Sequence, residues 1–112
     1  MNIKEIQAKT LVRIIDDDDD LRESAEMMLS YAGWKVSTYP DAGSFLTADS
    51  PSVPGCAVVD IRMPGMSGPE LQAEMLRRAI SLPIIILTGH ANVDLAVMTL
   101  NCLLYTSPSP RD

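Results

Sequence analysis

The chain of 112 residues contains little cysteine, few basic side chains and no long apolar run. Its 2 cysteines have neither disulfide nor metal-ligand spacing, so the expected location is a reducing cytoplasm. The 9 Lys and Arg are outnumbered by 15 Asp and Glu, and the net charge of −6 argues against direct contact with nucleic acid. The apolar run Leu82–Leu87 is far shorter than the roughly 20 residues that cross a bilayer, so no membrane association is expected.

Four short apolar runs predict buried β-strands, and the segments between them have the apolar spacing of amphipathic helices. The predicted strands are Leu11–Ile15, Trp34–Tyr39, Cys56–Val59 and Pro83–Leu87. The predicted helices carry apolar positions over Leu21–Ala32, at Phe45 and Leu46, over Leu71–Ala79 and over Val93–Leu100, with Gly33 as a stop, Asp41 as an N-cap and Ser67–Glu70 as a capping box. Strands that alternate with helices predict an α/β fold, with a parallel sheet covered on both faces.

Reactive side chains follow three of the four predicted strands. Asp16 and Asp17 follow the first strand, Asp60 the third and Thr88 the fourth. Because the carboxyl ends of parallel strands share one edge of a sheet, these side chains are expected to converge. Clustered carboxylates repel one another, and Mg²⁺ is the hard cation that suits a few carboxylates. A carboxylate beside Mg²⁺ can act as a nucleophile toward a phosphoryl group, one of whose oxygens the Thr88 hydroxyl can bond.

Each of these positions has a simpler interpretation when it is considered alone. The run Asp16–Asp20 is typical of a solvated acidic loop that leads into a helix N-terminus, where acids favour the helix dipole. Asp60 alone is as typical of a turn as of a functional acid. The pair Thr88 and Gly89 is more typical of a turn than of a functional site. The coincidence of three strand ends, and no single residue, therefore favours a functional site.

Three segments resemble the receiver domain of a bacterial two-component response regulator, and the resemblance covers Thr10–Leu100. The Asp-x-Arg-Met-Pro-x-Met-x-Gly pattern is highly specific, and its detail is most similar to the FixJ-like branch, in which a LuxR-type helix-turn-helix domain usually follows the receiver. The resemblance implies a flavodoxin-like, CheY-like doubly wound sheet with strand order 2-1-3-4-5. The three segments are Ile14–Ser24, Val58–Leu71 and Leu82–His90.

The resemblance also implies a role for each matching position. Asp60 would be the phosphoacceptor, which attacks the phosphohistidine of a sensor histidine kinase. Asp17 would bind Mg²⁺ directly, and Asp16 would act close by, partly through water. Asp60 and the backbone carbonyl of Arg62 would complete the protein ligands, and Thr88 would be the switch hydroxyl that follows the phosphoryl group. The chain would then be a switch that regulates transcription and not an enzyme, and a phosphorylation-dependent homodimer is an open alternative.

The end of the chain departs from the family pattern. The family carries a Lys, usually followed by Pro, at the end of a fifth strand, and then a fifth helix, and the residues after Leu100 contain neither pattern. The segment Cys102–Asp112 instead resembles the in-frame translation of a transposon-end adapter from a sequencing library. We therefore expect an N-terminal extension over residues 1–9, a truncated receiver domain over 10–101 and a non-native tail over 102–112.

Two other functions use the same strand-end acids. A Mg²⁺-dependent phosphatase of the haloacid-dehalogenase type also uses a strand-end Asp nucleophile, but it requires Asp-x-Asp followed by Thr or Val, which the run Asp18–Asp20 does not supply. A non-catalytic divalent-metal-binding module would hold Mg²⁺ or Ca²⁺ on the acidic loop without phosphoryl transfer. The Asp-x-Asp-x-Asp-Gly pattern of calcium-binding loops is not matched, because no Gly follows at the required position. Both stay open as alternatives to the receiver.

Without a fifth strand, the Ile-rich fourth strand Pro83–Leu87 would be an unpaired edge. We therefore expect the 112-residue chain to fold marginally and to signal poorly. Its thermal unfolding, followed by circular dichroism, should show a broad transition with a low midpoint temperature. A cooperative melt with a midpoint of roughly 45–65 °C, typical of intact small domains, would contradict this expectation.

Overall fold

The computed structural model describes residues 2–61 and 63–87, in which helices and strands alternate. The helices are α1 (Ile3–Lys9), α2 (Asp19–Tyr31), α3 (Ala42–Ala48) and α4 (Gly68–Arg77), and the strands are β1 (Leu11–Ile15), β2 (Val36–Tyr39), β3 (Gly55–Asp60) and β4 (Ile84–Leu87). The predicted α/β class and the four predicted strands are confirmed. The helix predicted over 93–100 and the domain boundary predicted after residue 101 lie outside the described residues. None of the described helices is long and apolar enough to cross a membrane.

The four described strands form one parallel sheet in the order β2-β1-β3-β4, which is the order that the receiver resemblance implies for them. Alternate side chains of each strand enter the cores on opposite faces of the sheet. On one face, Val12, Ile14, Cys56 and Val58 pack with Leu29 and Trp34, and on the other, Ile15, Ala57 and Val59 pack with Phe45, Leu71 and Met75. Because both faces are covered, β4 is apolar along its length and β3 is apolar until Asp60 at its end, whereas β1 contains Arg13 and β2 contains Ser37 and Thr38.

Helix α1 is an element that the sequence pattern does not assign, since the segment before the first strand is expected only as an extension. The Gln7 side-chain amide donates to the Ala32 carbonyl at 2.9 Å, just past the end of α2. The Lys35 ammonium donates to the Ala8 carbonyl at 2.9 Å. These contacts attach α1 to the connection between α2 and β2.

Arg13 lies in the middle of β1 and is fully buried. The apolar pattern that predicts this strand gives no reason to expect a buried charge in it. The Arg13 Nε donates to both carboxylate oxygens of Asp49 at 3.0 and 3.2 Å, and its Nη2 donates to the carbonyls of Ser50 and Val53. The Tyr39 hydroxyl also donates to Asp49, and burial together with this contact raises the pKa of Tyr39. A buried ion pair is tolerated when hydrogen bonds satisfy it, and this pair attaches the loop between α3 and β3 to the sheet.

Helix α2 ends in a Schellman motif, with Gly33 just past its C-cap at a φ of 104°. The Gly33 N–H donates to the Ser30 carbonyl and the Trp34 N–H donates to the Leu29 carbonyl, both at 3.0 Å. Gly33 therefore stops the helix, as predicted. Because the Trp34 amide is used in this motif, β2 begins at Val36 and not at Trp34 as expected.

Helix α4 ends earlier than predicted, in the same motif. The apolar spacing extends the helix to Ala79, but its last helical residue is Arg77, and Ala79 lies outside it at a φ of 59°. The Ala79 N–H donates to the Leu76 carbonyl at 3.1 Å and the Ile80 N–H donates to the Met75 carbonyl at 2.9 Å. The prediction of helix through Ala79 is therefore wrong, because alanine favours helix interiors and here occupies a left-handed position that glycine usually takes.

Replacing Ala79 with glycine is expected to stabilise the fold by about 0.5–1 kcal/mol. A left-handed backbone costs a non-glycine residue about 1–2 kcal/mol, and glycine loses about 0.5–1 kcal/mol of that gain through its greater freedom in the unfolded chain. The measurement is the free energy of unfolding in urea.

The matched control for this substitution is Gly33→Ala, which reverses the change in the equivalent motif. We expect it to destabilise the fold, because φ at Gly33 is 104° and an added Cβ would lie 2.7 Å from the Gln7 Oε1. An Ala79→Gly variant less stable than the wild type would show that the left-handed strain at α4 is unimportant.

Candidate functional site

The carboxylates of Asp16, Asp17 and Asp60 meet at the edge of the sheet where β1 and β3 end. These strands are parallel neighbours in which Ile15 pairs with Val59, so the residues that follow leave the sheet side by side. One oxygen of each carboxylate lies within 4.8 Å of the others. Asp16 and Asp60 are half-buried and Asp17 is exposed. The topology thus brings together acids from two distant parts of the sequence.

The loop that carries Asp16 and Asp17 is shaped by hydrogen bonds within a few residues. The Asp16 N–H continues the β1–β2 ladder by donating to the Tyr39 carbonyl at 3.1 Å. The Asp16 Oδ1 then accepts from the Asp18 N–H at 2.9 Å. Asp18 is the N-cap of α2 and accepts from the backbone amides of the first turn, so the chain passes from strand to helix within three residues. Asp18, Asp19 and Asp20 therefore act as the loop and helix-cap acids that the sequence predicts.

The loop after Asp60 is held close to the sheet by residues of the Asp-x-Arg-Met-Pro-x-Met-x-Gly pattern that have no chemical role of their own. Met63 is buried in the core beneath the α4 face. Gly68, the first residue of α4, is buried against the strand ends. A Cβ at Gly68 would lie 3.1 Å from the Asp60 carbonyl oxygen and 3.4 Å from the Ile86 Cγ2. A larger residue at this position would therefore push α4 away from the end of β3.

The acid cluster is electrostatically crowded. The pKa of Asp16 is raised above its usual range, first because burial penalises the charged carboxylate and then because the charges of Asp60, Asp17 and Asp18 repel it. The hydrogen bond from the Asp18 N–H opposes this rise. Three carboxylate oxygens at this spacing are hard ligands of the kind that Mg²⁺ takes, and a bound cation would offset their repulsion. The residues present therefore fit the magnesium site that the resemblance implies.

Two of the predicted site residues, Arg62 and Thr88, lie outside the described residues, as do Gly89 and His90, so their assignments stay predictions. Arg22 is a residue beside the acid cluster that the sequence reasoning missed. Its Nη1 donates to the Asp16 carbonyl at 2.6 Å, and its Nη2 pairs with Asp19. The spacing of Asp19 and Arg22 on a predicted helix is a signal for the ion pair, but the contact with Asp16 depends on the path of the loop.

Replacing Asp16 with asparagine is expected to stabilise the metal-free protein at neutral pH by about 1 kcal/mol, the Coulomb energy of two charges at this separation in water. Because the pKa of Asp16 is raised in the folded protein, folding favours its protonated form. The wild type therefore loses stability as the pH rises through that raised pKa, whereas asparagine does not titrate. Unfolding in urea with EDTA should show a gain at pH 7 that disappears below the ordinary Asp pKa of 3.8.

Two further measurements test the cause of this gain. Saturating Mg²⁺ should reverse the order of stability, because the cation binds the folded wild type more tightly than the variant. Asp20→Asn is the matched control, since Asp20 is an acid in the first turn of α2 outside the cluster and its removal should cost a little helix-dipole stabilisation. Equal stabilisation by both substitutions would mean that the gain comes from lowering the net negative charge of the protein and not from relieving repulsion within the cluster.

Comparisons with known proteins agree with the parallel sheet and the acid cluster described above. The response regulator receiver domain family matches residues 12–104. The transcriptional regulatory protein FixJ of Azorhizobium caulinodans is 45% identical over 86 residues, which are 77% of this chain and 41% of that protein. The C4-dicarboxylate transport transcriptional regulatory protein DctD of Pseudomonas aeruginosa is 42% identical over 108 residues, which are 94% of this chain and 23% of that protein.

A solved structure is similar to this chain in both sequence and fold. The crystal structure of FixJ-N is 37% identical and has a TM-score of 0.67, over 83% of this chain and 74% of that chain. The chain spans less than half the length of the two curated relatives, at 41% and 23%. By its family match, its identity to these relatives and its strand order, the chain belongs to the response regulator receiver domain family.

Proposed function

We propose that this chain is a phosphorylation-controlled switch in which Asp60 accepts a phosphoryl group from the phosphohistidine of a sensor histidine kinase. The observation that carries the proposal is the meeting of Asp16, Asp17 and Asp60 within 4.8 Å of one another, in a chain of the receiver family. Asp60 is the candidate acceptor because it ends β3, an interior strand of the sheet, and begins the family's most specific motif. A half-buried carboxylate at this edge can be reached by a phosphoryl donor from solvent.

In the proposed reaction a carboxylate oxygen of Asp60 attacks the phosphorus, an acyl phosphate forms and the bond between phosphorus and the imidazole nitrogen breaks. Asp16, Asp17 and Asp60, with the backbone carbonyl of Arg62, are the proposed ligands of Mg²⁺. When bound, Mg²⁺ supplies positive charge that neutralises the phosphoryl oxygens. Thr88 is the proposed switch hydroxyl that bonds one of those oxygens.

The proposed switch follows from the charge that phosphorylation adds. An aspartyl phosphate carries more negative charge than a carboxylate. It would form beside Asp16, whose pKa is already raised, first by burial and then by the charges of the neighbouring acids. Such a change can shift an equilibrium between two conformations only if it interacts differently with each of them. We place that difference at the carboxyl edge of the sheet, where the loops after β1 and β3 meet.

The role of the whole protein is also a proposal, because the chain spans 41% of FixJ and 23% of DctD. Both relatives are named as transcriptional regulatory proteins, which supports a role in the regulation of transcription. We propose in addition that the protein acts in the cytoplasm, through an output domain, with a sensor histidine kinase as the partner. Phosphorylation-dependent homodimerisation belongs to the same proposal. A signalling role and not an enzymatic one is proposed, and the family match does not favour the dehalogenase-type phosphatase.

Incubation of the protein with acetyl phosphate and Mg²⁺ should produce a hydroxylamine-sensitive acyl phosphate, detected as an 80 Da increase in mass, roughly the mass of one phosphoryl group. Asp60→Asn should reduce labelling to background, and EDTA should do the same to the wild type. Asp18→Asn is the matched control, because it removes a nearby charge while asparagine still caps α2. Equal labelling of the wild type and Asp60→Asn would rule out Asp60 as the acceptor.

A further inference from the structure

Arg22 connects the acid loop to the first turns of α2. Its side chain is 16% exposed, so it is largely enclosed although it lies beside a run of acids. The Nη1 donates to the backbone carbonyl of Asp16 at 2.6 Å, and the Nη2 pairs with the carboxylate of Asp19. The Arg22 N–H donates to the Asp18 carbonyl at 2.9 Å, so its backbone belongs to the helix that Asp18 caps. One guanidinium therefore bonds the start of the loop and the start of the helix together.

The contact with the Asp16 carbonyl has a geometric consequence for both neighbouring acids. That carbonyl belongs to the planar peptide that links Asp16 to Asp17, so holding it limits rotation about ψ of Asp16 and φ of Asp17. Asp16 is also held through its N–H, which donates to Tyr39, and through its Oδ1, which accepts from Asp18. Asp17 is exposed, and Arg22 holds the peptide that leads directly into it.

We infer that Arg22 is a positioning residue for the proposed Mg²⁺ site, because its bond to the Asp16 carbonyl holds the peptide from which the carboxylates of Asp16 and Asp17 face Asp60. This inference rests on the proposed function, since it concerns the same site. Groups that orient metal ligands without touching the metal typically contribute about 10–100-fold to metal affinity. Arg22 has no role in phosphoryl transfer in the proposal above, so its effect should appear in Mg²⁺ binding itself.

The charge of Arg22 acts in the opposite direction, and this separates two explanations of its presence. A cation next to an acid cluster repels Mg²⁺, so if Arg22 served only to balance the acids, removing it would tighten Mg²⁺ binding. If Arg22 positions the ligands, removing it weakens Mg²⁺ binding although the site becomes more negative. A purely structural role would lower the melting temperature and leave the Mg²⁺ dissociation constant of the folded protein unchanged.

The test is calorimetric titration of the protein with Mg²⁺ in the absence of any phosphoryl donor. Arg22→Met keeps the apolar stem and removes the donors, and we expect its Mg²⁺ dissociation constant to rise by about tenfold. Arg22→Lys keeps the charge but cannot bond both partners, so a smaller rise is expected. Asp19→Asn removes the ion pair and leaves the Asp16 contact in place, so its affinity should stay within about twofold of the wild type, as expected for an exposed pair.

Circular dichroism and the emission of the buried Trp34 confirm that each variant is folded before titration. If Arg22→Met does not fold, Arg22→Lys decides the question, since weaker binding than in Asp19→Asn is still expected. Unchanged or tighter binding in the folded Arg22 variants would overturn the positioning role and leave the proposed function intact. A wild type that binds no Mg²⁺ would overturn both, so the two failures are distinguishable.

Discussion

The parallel pairing of β1 with β3 is the constraint on which the rest of the structure depends. Ile15 pairs with Val59, and both side chains are fully buried in the same core. The residues that follow them, Asp16 and Asp60, therefore leave the sheet at one edge. A slip of one residue would turn these apolar side chains to the opposite face and separate the acids. The packing that stabilises the fold and the geometry that makes the site are thus set by one register.

The acid cluster destabilises the folded protein electrostatically, and local hydrogen bonds hold its loop in place. Burial and like charges raise the pKa of Asp16, so the crowded carboxylates destabilise the metal-free protein at neutral pH. The Asp16 N–H donates one hydrogen bond, and its carbonyl and carboxylate each accept one, and these contacts hold the loop in spite of this repulsion. Tyr39 connects this edge to the buried ion pair of Arg13 and Asp49, because its carbonyl accepts from Asp16 and its hydroxyl donates to Asp49.

Sequence patterns predicted the elements well where one local interaction dominates. The apolar runs became strands because both faces of the sheet are covered, and Asp41 and Ser67 became N-caps because their side chains satisfy free backbone amides. The patterns failed where a distant partner decides. Arg13 is buried in a strand because Asp49 and loop carbonyls bind it. The patterns also failed at the end of α4, where a local Schellman motif stops the helix before Ala79 although alanine favours helix interiors. The residues that precede β1 form a helix that docks near Ala32.

By itself, the sequence determined the order of the four strands and of the helices between them, the parallel sheet and the acids that follow strand ends, because these features follow from apolar periodicity and from residue types next to one another. Only the tertiary structure decided how close Asp16, Asp17 and Asp60 lie, that burial raises the pKa of Asp16, and that Arg22 binds the carbonyl of Asp16. Distances, desolvation and long-range hydrogen bonds arise from groups that meet only when the chain has folded, so no local pattern contains them.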